Sequence, residues 1–299
     1  DISELLGFEF VQAATLGTPA YLESAQDAFV PAPGMPLSFE RRFMPGPSYR
    51  NRLSSLGYGW SHNYDVTLRT RGDGTIAINC TDSFDHVFTP DGEGGYTSGQ
   101  ATLEPISPGG VIEYLLTRSD GSTIYFRADG RFRYIEDTNG NRATASYNGL
   151  GQLAALTHSS GDRFEFTYDA NGRMATLTDH VDRVTTFDYD ASGEHLTSVT
   201  TPGGLVTTYN YLTGQGSLRD HLLTDIAPPG GPAVHFNYDS LGRLSGQHLG
   251  ANLERVDFAY SDAARTTITD ALGNASTTWL DSRGRTVMAE NPLGHRTEL

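Results

Sequence analysis

Apolar and polar residues alternate along most of this chain, and short turn-forming runs interrupt the alternation at regular intervals. In Arg163-Phe164-Glu165-Phe166-Thr167-Tyr168 the aromatics fall on every second position. Phe164, Phe166 and Tyr168 therefore share one face of an extended strand, with Arg163, Glu165 and Thr167 on the other. Asp169-Ala170-Asn171-Gly172 follows. Asp bonds its own downstream backbone, and Asn and Gly tolerate positive φ, so this run predicts a tight turn. Arg173 opens the next segment, whose apolar positions are Met174 and Leu177. Two residues three apart do not share a strand face, and the spacing predicts a bulge or kink.

The same pattern recurs. Leading aromatics stand at Phe126, Tyr147, Tyr168 and Tyr189, a step of 21 each time. Tyr147 comes before Gly151, Tyr168-Asp169 before Gly172-Arg173, and Tyr189-Asp190 before Gly193. Tyr211, then Tyr238-Asp239 with Gly242-Arg243, then Tyr260, then Leu280-Asp281 with Gly284-Arg285 continue the series. One step is longer, and Ala227-Pro-Pro-Gly-Gly-Pro232 inside it reads as an inserted loop. The copy at Tyr260-Ser-Asp-Ala-Ala-Arg265 lacks its glycine, so that turn is degenerate. A second turn signal lies between successive aromatics, as in Asp137-Thr-Asn-Gly-Asn141 and Thr201-Pro-Gly-Gly204. Each unit thus carries two short strands and two turns, the mark of a β array in which units pack on their neighbours.

Tyr168-Asp169 with Gly172-Arg173, and Tyr238-Asp239 with Gly242-Arg243 and Leu244, resemble the YD repeat of Rhs proteins. That family takes in bacterial Rhs and wall-associated toxins, the C component of insecticidal toxin complexes, and teneurins. The resemblance runs from about residue 120 to Leu299. Upstream, Phe39-Glu40-Arg41-Arg42-Phe43 and Leu56-Gly57-Tyr58-Gly59-Trp60-Ser61-His62-Asn63-Tyr64 are similar to the segment that precedes the repeats in bacterial Rhs toxins. Residues 1–64 are accordingly read as a lead-in segment, 65–125 as degenerate β-hairpin repeats and 126–299 as YD repeats. The expected fold class is all-β, a hairpin array whose sheet curves and spirals as part of a hollow shell; twist makes such a sheet coil. The resemblance further implies a structural, non-enzymatic wall of a secreted or cell-surface bacterial toxin. Its implied partners are the remainder of the shell and an enclosed C-terminal toxin absent from this chain, with a secretion-system component or a cell-surface glycan beside them.

Composition narrows the alternatives. The 299 residues include 34 Gly, 15 Tyr and 14 Phe, and only 19% are charged, which suits turns and strands more than helices. The net charge of −15 argues against nucleic acid as a partner, since phosphate neutralisation needs Lys and Arg. Cys80 is the only cysteine, so no intrachain disulfide forms. No apolar run has the length of a membrane span. The chain stops inside a repeat, and an unfinished unit leaves an unpaired sheet edge. The expectation is a fragment, or a chain that needs a neighbour.

Candidate chemistry is sparse. Arg41, Arg42, Arg50 and Arg52 form the one basic cluster, to be read as pairing with nearby acids in preference to an anion site. Gly57, Gly59 and Trp60 read as a close corner. Arg71-Gly72-Asp73 reads as a turn, Ser3–Leu6 and Tyr21–Ala25 as short helical turns. No nucleophile elbow, zinc ligand set or dinucleotide fingerprint is present, and no cofactor is expected. Asp-x-Asn-Gly turns offer oxygen ligands, yet the glutamate that completes a helix-flanked calcium loop is missing. The repeated tyrosines read as core. Two rival functions stay open: a repeat protein that binds glycans or a receptor through exposed Tyr and Trp60, and a polysaccharide-acting enzyme with a surface carboxylate pair.

Overall fold

The computed structural model describes residues 22–79, 85–261, 264–281 and 285–299. Nearly all of them are strand or turn; the helical pieces are one turn at Pro47–Arg50 and a 3-10 turn at Pro108–Gly110. The chain divides into two compact units.

One unit holds Ser24–Arg42 and Ser61–Phe187. Thirteen strands from Thr67–Thr70 to Val184–Tyr189 follow one another in it, and each pairing between chain neighbours is antiparallel. The strand Leu37–Phe43 lies between Glu23–Val30 and Trp60–His62 in a separate small sheet. Its alternate residues Leu37, Phe39, Arg41 and Phe43 are buried. Phe39 meets Phe166 at 5.4 Å and Phe187 at 6.4 Å, so the lead-in strand fills the apolar face of the array. Thr185 donates its hydroxyl to the Asp27 carbonyl at 3.2 Å from the same face.

The other unit holds Phe43–Trp60 and Asp188–Leu299. Ten further strands, from Leu196–Thr200 to Arg296–Glu298, continue the antiparallel meander. Their core is Leu196, Val199, Tyr209, Leu223, Ile226 and Phe236, with Phe43, Leu56 and Trp60 set against it. Trp60 meets Phe43 at 5.5 Å and Tyr209 at 5.1 Å, both edge to face. From Leu253 onward Thr266 is the one buried residue among those described. Every other described side chain in those hairpins is half-buried or exposed.

The expected bulge is present and recurs. Tyr168 pairs with Met174 while Thr167 pairs with Thr176, so Ala175 has no partner. The same slip occurs at Phe126, Tyr147, Tyr211, Tyr238 and Leu280. One unpaired residue re-aims the strand, which lets Met174 and Leu177 both reach the core although they stand three apart.

Two expectations are corrected. Residues 23–25 are not a helical turn; they open the strand Glu23–Val30, because pairing with Leu37–Phe43 satisfies their backbone in extended form. Ser3–Leu6, Tyr21 and Cys80 lie outside the described residues. The long step is also not caused by the Pro-Pro-Gly-Gly run. Residues 228–233 make an ordinary connection between Leu223–Ala227 and Val234–Tyr238. The extra length is in residues 212–222, which stand where residues 169–173 stand in a regular repeat. Arg71-Gly72-Asp73 sits in a hairpin turn in which Asp73 Oδ1 accepts from the Thr75 amide at 2.9 Å.

Candidate functional site

The repeat motif builds joints. In each turn the Asp carboxylate folds over the backbone that follows it. Asp169 Oδ1 accepts from the amides of Asn171 at 2.9 Å and Arg173 at 2.7 Å. Gly172 takes a φ of +78°, a conformation that a side chain would strain. Asp239 does the same with Leu241 and Arg243, and its Oδ2 also receives Arg243 Nε at 2.8 Å. Asp281 and Arg285 repeat that pair at 2.8 Å, while Gly284 lies outside the described residues. Asp179 with Arg183 makes the same joint on the opposite side of the hairpin. Gly151, Gly193 and Gly242 share the left-handed backbone of Gly172. In Asp137-Thr-Asn-Gly-Asn141 the carboxylate is likewise taken, by two amides and the Asn141 side chain. Such turns spend their oxygens on themselves, and among the described residues no group of three or more His, Cys, Asp or Glu could hold a metal ion.

The tyrosine of each repeat reaches backward. Tyr147 donates its hydroxyl to the Phe132 carbonyl at 2.8 Å, and Tyr168 to Leu153 at 2.8 Å. Tyr211 donates to Leu196 at 2.7 Å, Tyr238 to Leu223 at 2.6 Å and Tyr260 to Leu244 at 2.8 Å. Each acceptor opens the strand of the preceding hairpin, so every tyrosine staples one hairpin to the last. Tyr189 turns instead to the Ser55 carbonyl at 3.4 Å. Burial pushes the phenols of Tyr147, Tyr168 and Tyr238 well above their usual range and that of Tyr260 up to about 12. They are donors held inside the array.

The lead-in residues are spent on docking. Arg41 Nε meets Asp27 Oδ2 at 2.8 Å, and both side chains are almost fully buried. Burial pushes Asp27 upward and Arg41 partly offsets it. Arg42 pairs with Glu40 at 3.5 Å near the surface. Arg50 donates to the carbonyls of Pro45, at 2.8 Å, and Leu218; burial lowers it to about 10. Gly57 has a φ of +89°, and a Cβ there would stand 2.6 Å from the Glu194 carbonyl. Tyr58 N donates to that same oxygen at 2.9 Å. A Cβ on Gly59 would enter the Phe43 ring. Trp60 Nε1 donates to Tyr211 Oη at 2.7 Å, which joins the lead-in to the tyrosine staple.

Motif reading missed the polar cluster beneath Tyr58. His195 bonds Asp190 Oδ2 through Nδ1 and His221 Nδ1 through Nε2, each at 2.8 Å. Tyr58 stacks on His221 at 3.7 Å. Burial works to raise Asp190, but the His195 side chain and the Glu194 amide outweigh it and hold the carboxyl at about 2. Burial, helped by His195, keeps His221 below the usual histidine range. The extra residue in Asp190–His195 and the long segment 212–222 were the available signals, since both break the period.

Residues 123–249 match the family model of the teneurin YD-shell, and residues 16–88 match a domain of unknown function, DUF6531. No curated protein matches the chain. Among solved structures, the crystal structure of TcdB2-TccC3-TEV is 12% identical with a TM-score of 0.38, covering 92% of this chain and 19% of that one. The Tc holotoxin pore of Photorhabdus luminescens is 13% identical with a TM-score of 0.42, covering 90% and 16%. The N-terminal domain of the effector SpvB from Salmonella typhimurium is 11% identical with a TM-score of 0.26, covering 88% and 100%. The chain therefore spans about a fifth of the first of these proteins. The matched segment carries the Tyr-Asp motif and lies within the all-β hairpin array, so residues 123–249 are similar to the teneurin YD-shell family.

Proposed function

We propose that this chain is a wall segment of a toxin-type shell, which encloses a separate C-terminal domain and keeps it from the solvent until delivery. The observation that carries the reading is where the repeated chemistry goes. Five repeat tyrosines each staple one hairpin to the preceding one, and the repeat Asp–Arg pairs close turns. These described motif side chains are engaged within the array itself. The half-buried and exposed side chains described from Leu253 onward suit a surface that meets further wall or cargo. Secretion or display on a bacterial cell belongs to the same proposal. Among the described residues no helix is long and apolar enough to cross a membrane, which leaves strands untested.

The glycan-binding alternative needs open aromatic faces. The repeat tyrosines turn inward, and the more exposed pair Tyr125 and Tyr134 is covered by Arg133 at 5.1 Å and Arg142 at 3.8 Å. The test is protection. In the full gene product, a small reporter domain placed after the repeats is expected to resist a protease that digests it when free. Equal digestion in both settings would overturn the reading.

A further inference from the structure

Arg219 rides on segment 212–222, the insertion that widens one turn of the array. Its Nε is buried and has no hydrogen-bond partner. It borders a cavity of about 350 Å3 whose walls include Asp225, His235, Asn237 and His248. His235 and His248 stand directly opposite one another on neighbouring strands, with ring centres 4.8 Å apart.

Each imidazole has one nitrogen already committed. His235 Nδ1 meets Asp225 Oδ1 at 2.5 Å, and His248 Nδ1 meets the Gly250 carbonyl at 3.2 Å. A carbonyl only accepts, so His248 Nδ1 carries a proton there, and Nε2 is the nitrogen left for a ligand on both rings. Asp225 is taken as well, since its Oδ2 accepts from the Thr224 hydroxyl at 2.7 Å. What the cavity offers is a guanidinium with an unspent N–H and two imidazole edges. A buried donor without an acceptor is costly, and the group that removes the cost is an anionic oxygen.

We propose that this cavity binds a small oxyanion, the carboxylate or phosphate of a ligand, with Arg219 as its main contact and the Nε2–H groups of His235 and His248 as flanking donors once each imidazole carries a second proton. The site is independent of the shell reading: the staple Tyr238 lines the cavity with its hydroxyl on the Leu223 carbonyl, and the proposed contacts Arg219, His235 and His248 are neither staples nor turn pairs. The oxyanion can arrive as free phosphate or on an acidic sugar.

The experiment uses the full chain, with inorganic phosphate and D-glucuronate titrated separately while the side-chain nitrogen resonances of the histidines are followed by NMR. Saturable shifts of His235 and His248 are expected. Arg219→Gln should weaken them at least about tenfold, the scale of one charge-assisted contact. Arg219→Lys should retain part of the binding, and Arg296→Gln, five strands further along the sheet from His248, should leave it unchanged. Because Arg219→Gln removes an unpartnered donor, its melting temperature without ligand should not fall. A response to phosphate alone points to the free ion, to glucuronate alone an acidic sugar, to both the oxyanion group itself. No response to either overturns the proposal. So does a response to Zn2+ alone that Arg219→Gln leaves intact, which would make the paired imidazoles a cation site.

Discussion

At the scale of single residues, two buried polar contacts carry unequal stakes. Tyr168→Phe removes one hydroxyl and leaves the Leu153 carbonyl without its donor. The expected cost is about 1 kcal/mol, read from chemical denaturation, because the ring stays in place. Arg41 is different. It occupies a core position in line with Phe39 and Phe43 and is tolerated only because Asp27 faces it. Arg41→Leu should cost about 3–5 kcal/mol by stranding a buried carboxylate, whereas Arg41→Leu with Asp27→Leu should recover most of that loss. A double variant no better than the single one would show that the pair is not what holds this strand.

At the scale of the element, the turn decides. Asp190 is held at about 2, against about 3.9 for a free carboxyl. A depressed value adds stability that is present above the unfolded value and is lost as pH falls from about 4 to 2. Asp190→Asn should flatten the pH dependence of unfolding in that window and cost on the order of 1 kcal/mol at neutral pH, since the group is partly solvated. Ala264 makes a complementary case. It adopts a φ of +50° in the repeat turn that lacks its glycine. Ala264→Gly should raise the melting temperature by relieving about 1 kcal/mol of left-handed strain, less the entropy that glycine loses on folding. A lower melting temperature would mean that Ala264 gains from contacts beyond its backbone.

At the scale of the whole molecule, the two units share one construction. In each, a few large lead-in side chains fill the apolar face of a meander: Phe39 in one, Phe43 and Trp60 in the other. The shell proposal makes a plain prediction about the native product. Denaturing mass spectrometry of material from its source should give a species several times heavier than 32.4 kDa, or a large product cut into pieces. A product near 32.4 kDa would favour a free-standing binding protein.

The sequence by itself determined the strands, the turns, the bulge and the period, because each rests on local chemistry. Alternation needs only neighbours two apart, and an Asp carboxylate reaches amides two and four residues ahead. The tyrosines read from the sequence as core are half-buried, because each hydroxyl reaches a backbone carbonyl, as Tyr168 does at Leu153. Tertiary structure alone decided the rest, where partners come from far along the chain. Trp60 and Tyr211 are 151 positions apart, and Arg50 and Leu218 are 168 apart. The inserted segment was misplaced because Pro-Pro-Gly-Gly-Pro is the louder local signal. Loop length, however, is set by which strands pair, and Asp225 opposite His235 leaves residues 228–233 only an ordinary turn. His195, His221 and Arg219 carry no motif. They became a polar cluster and a cavity only when the widened turn brought them beside Tyr58 and the paired histidines.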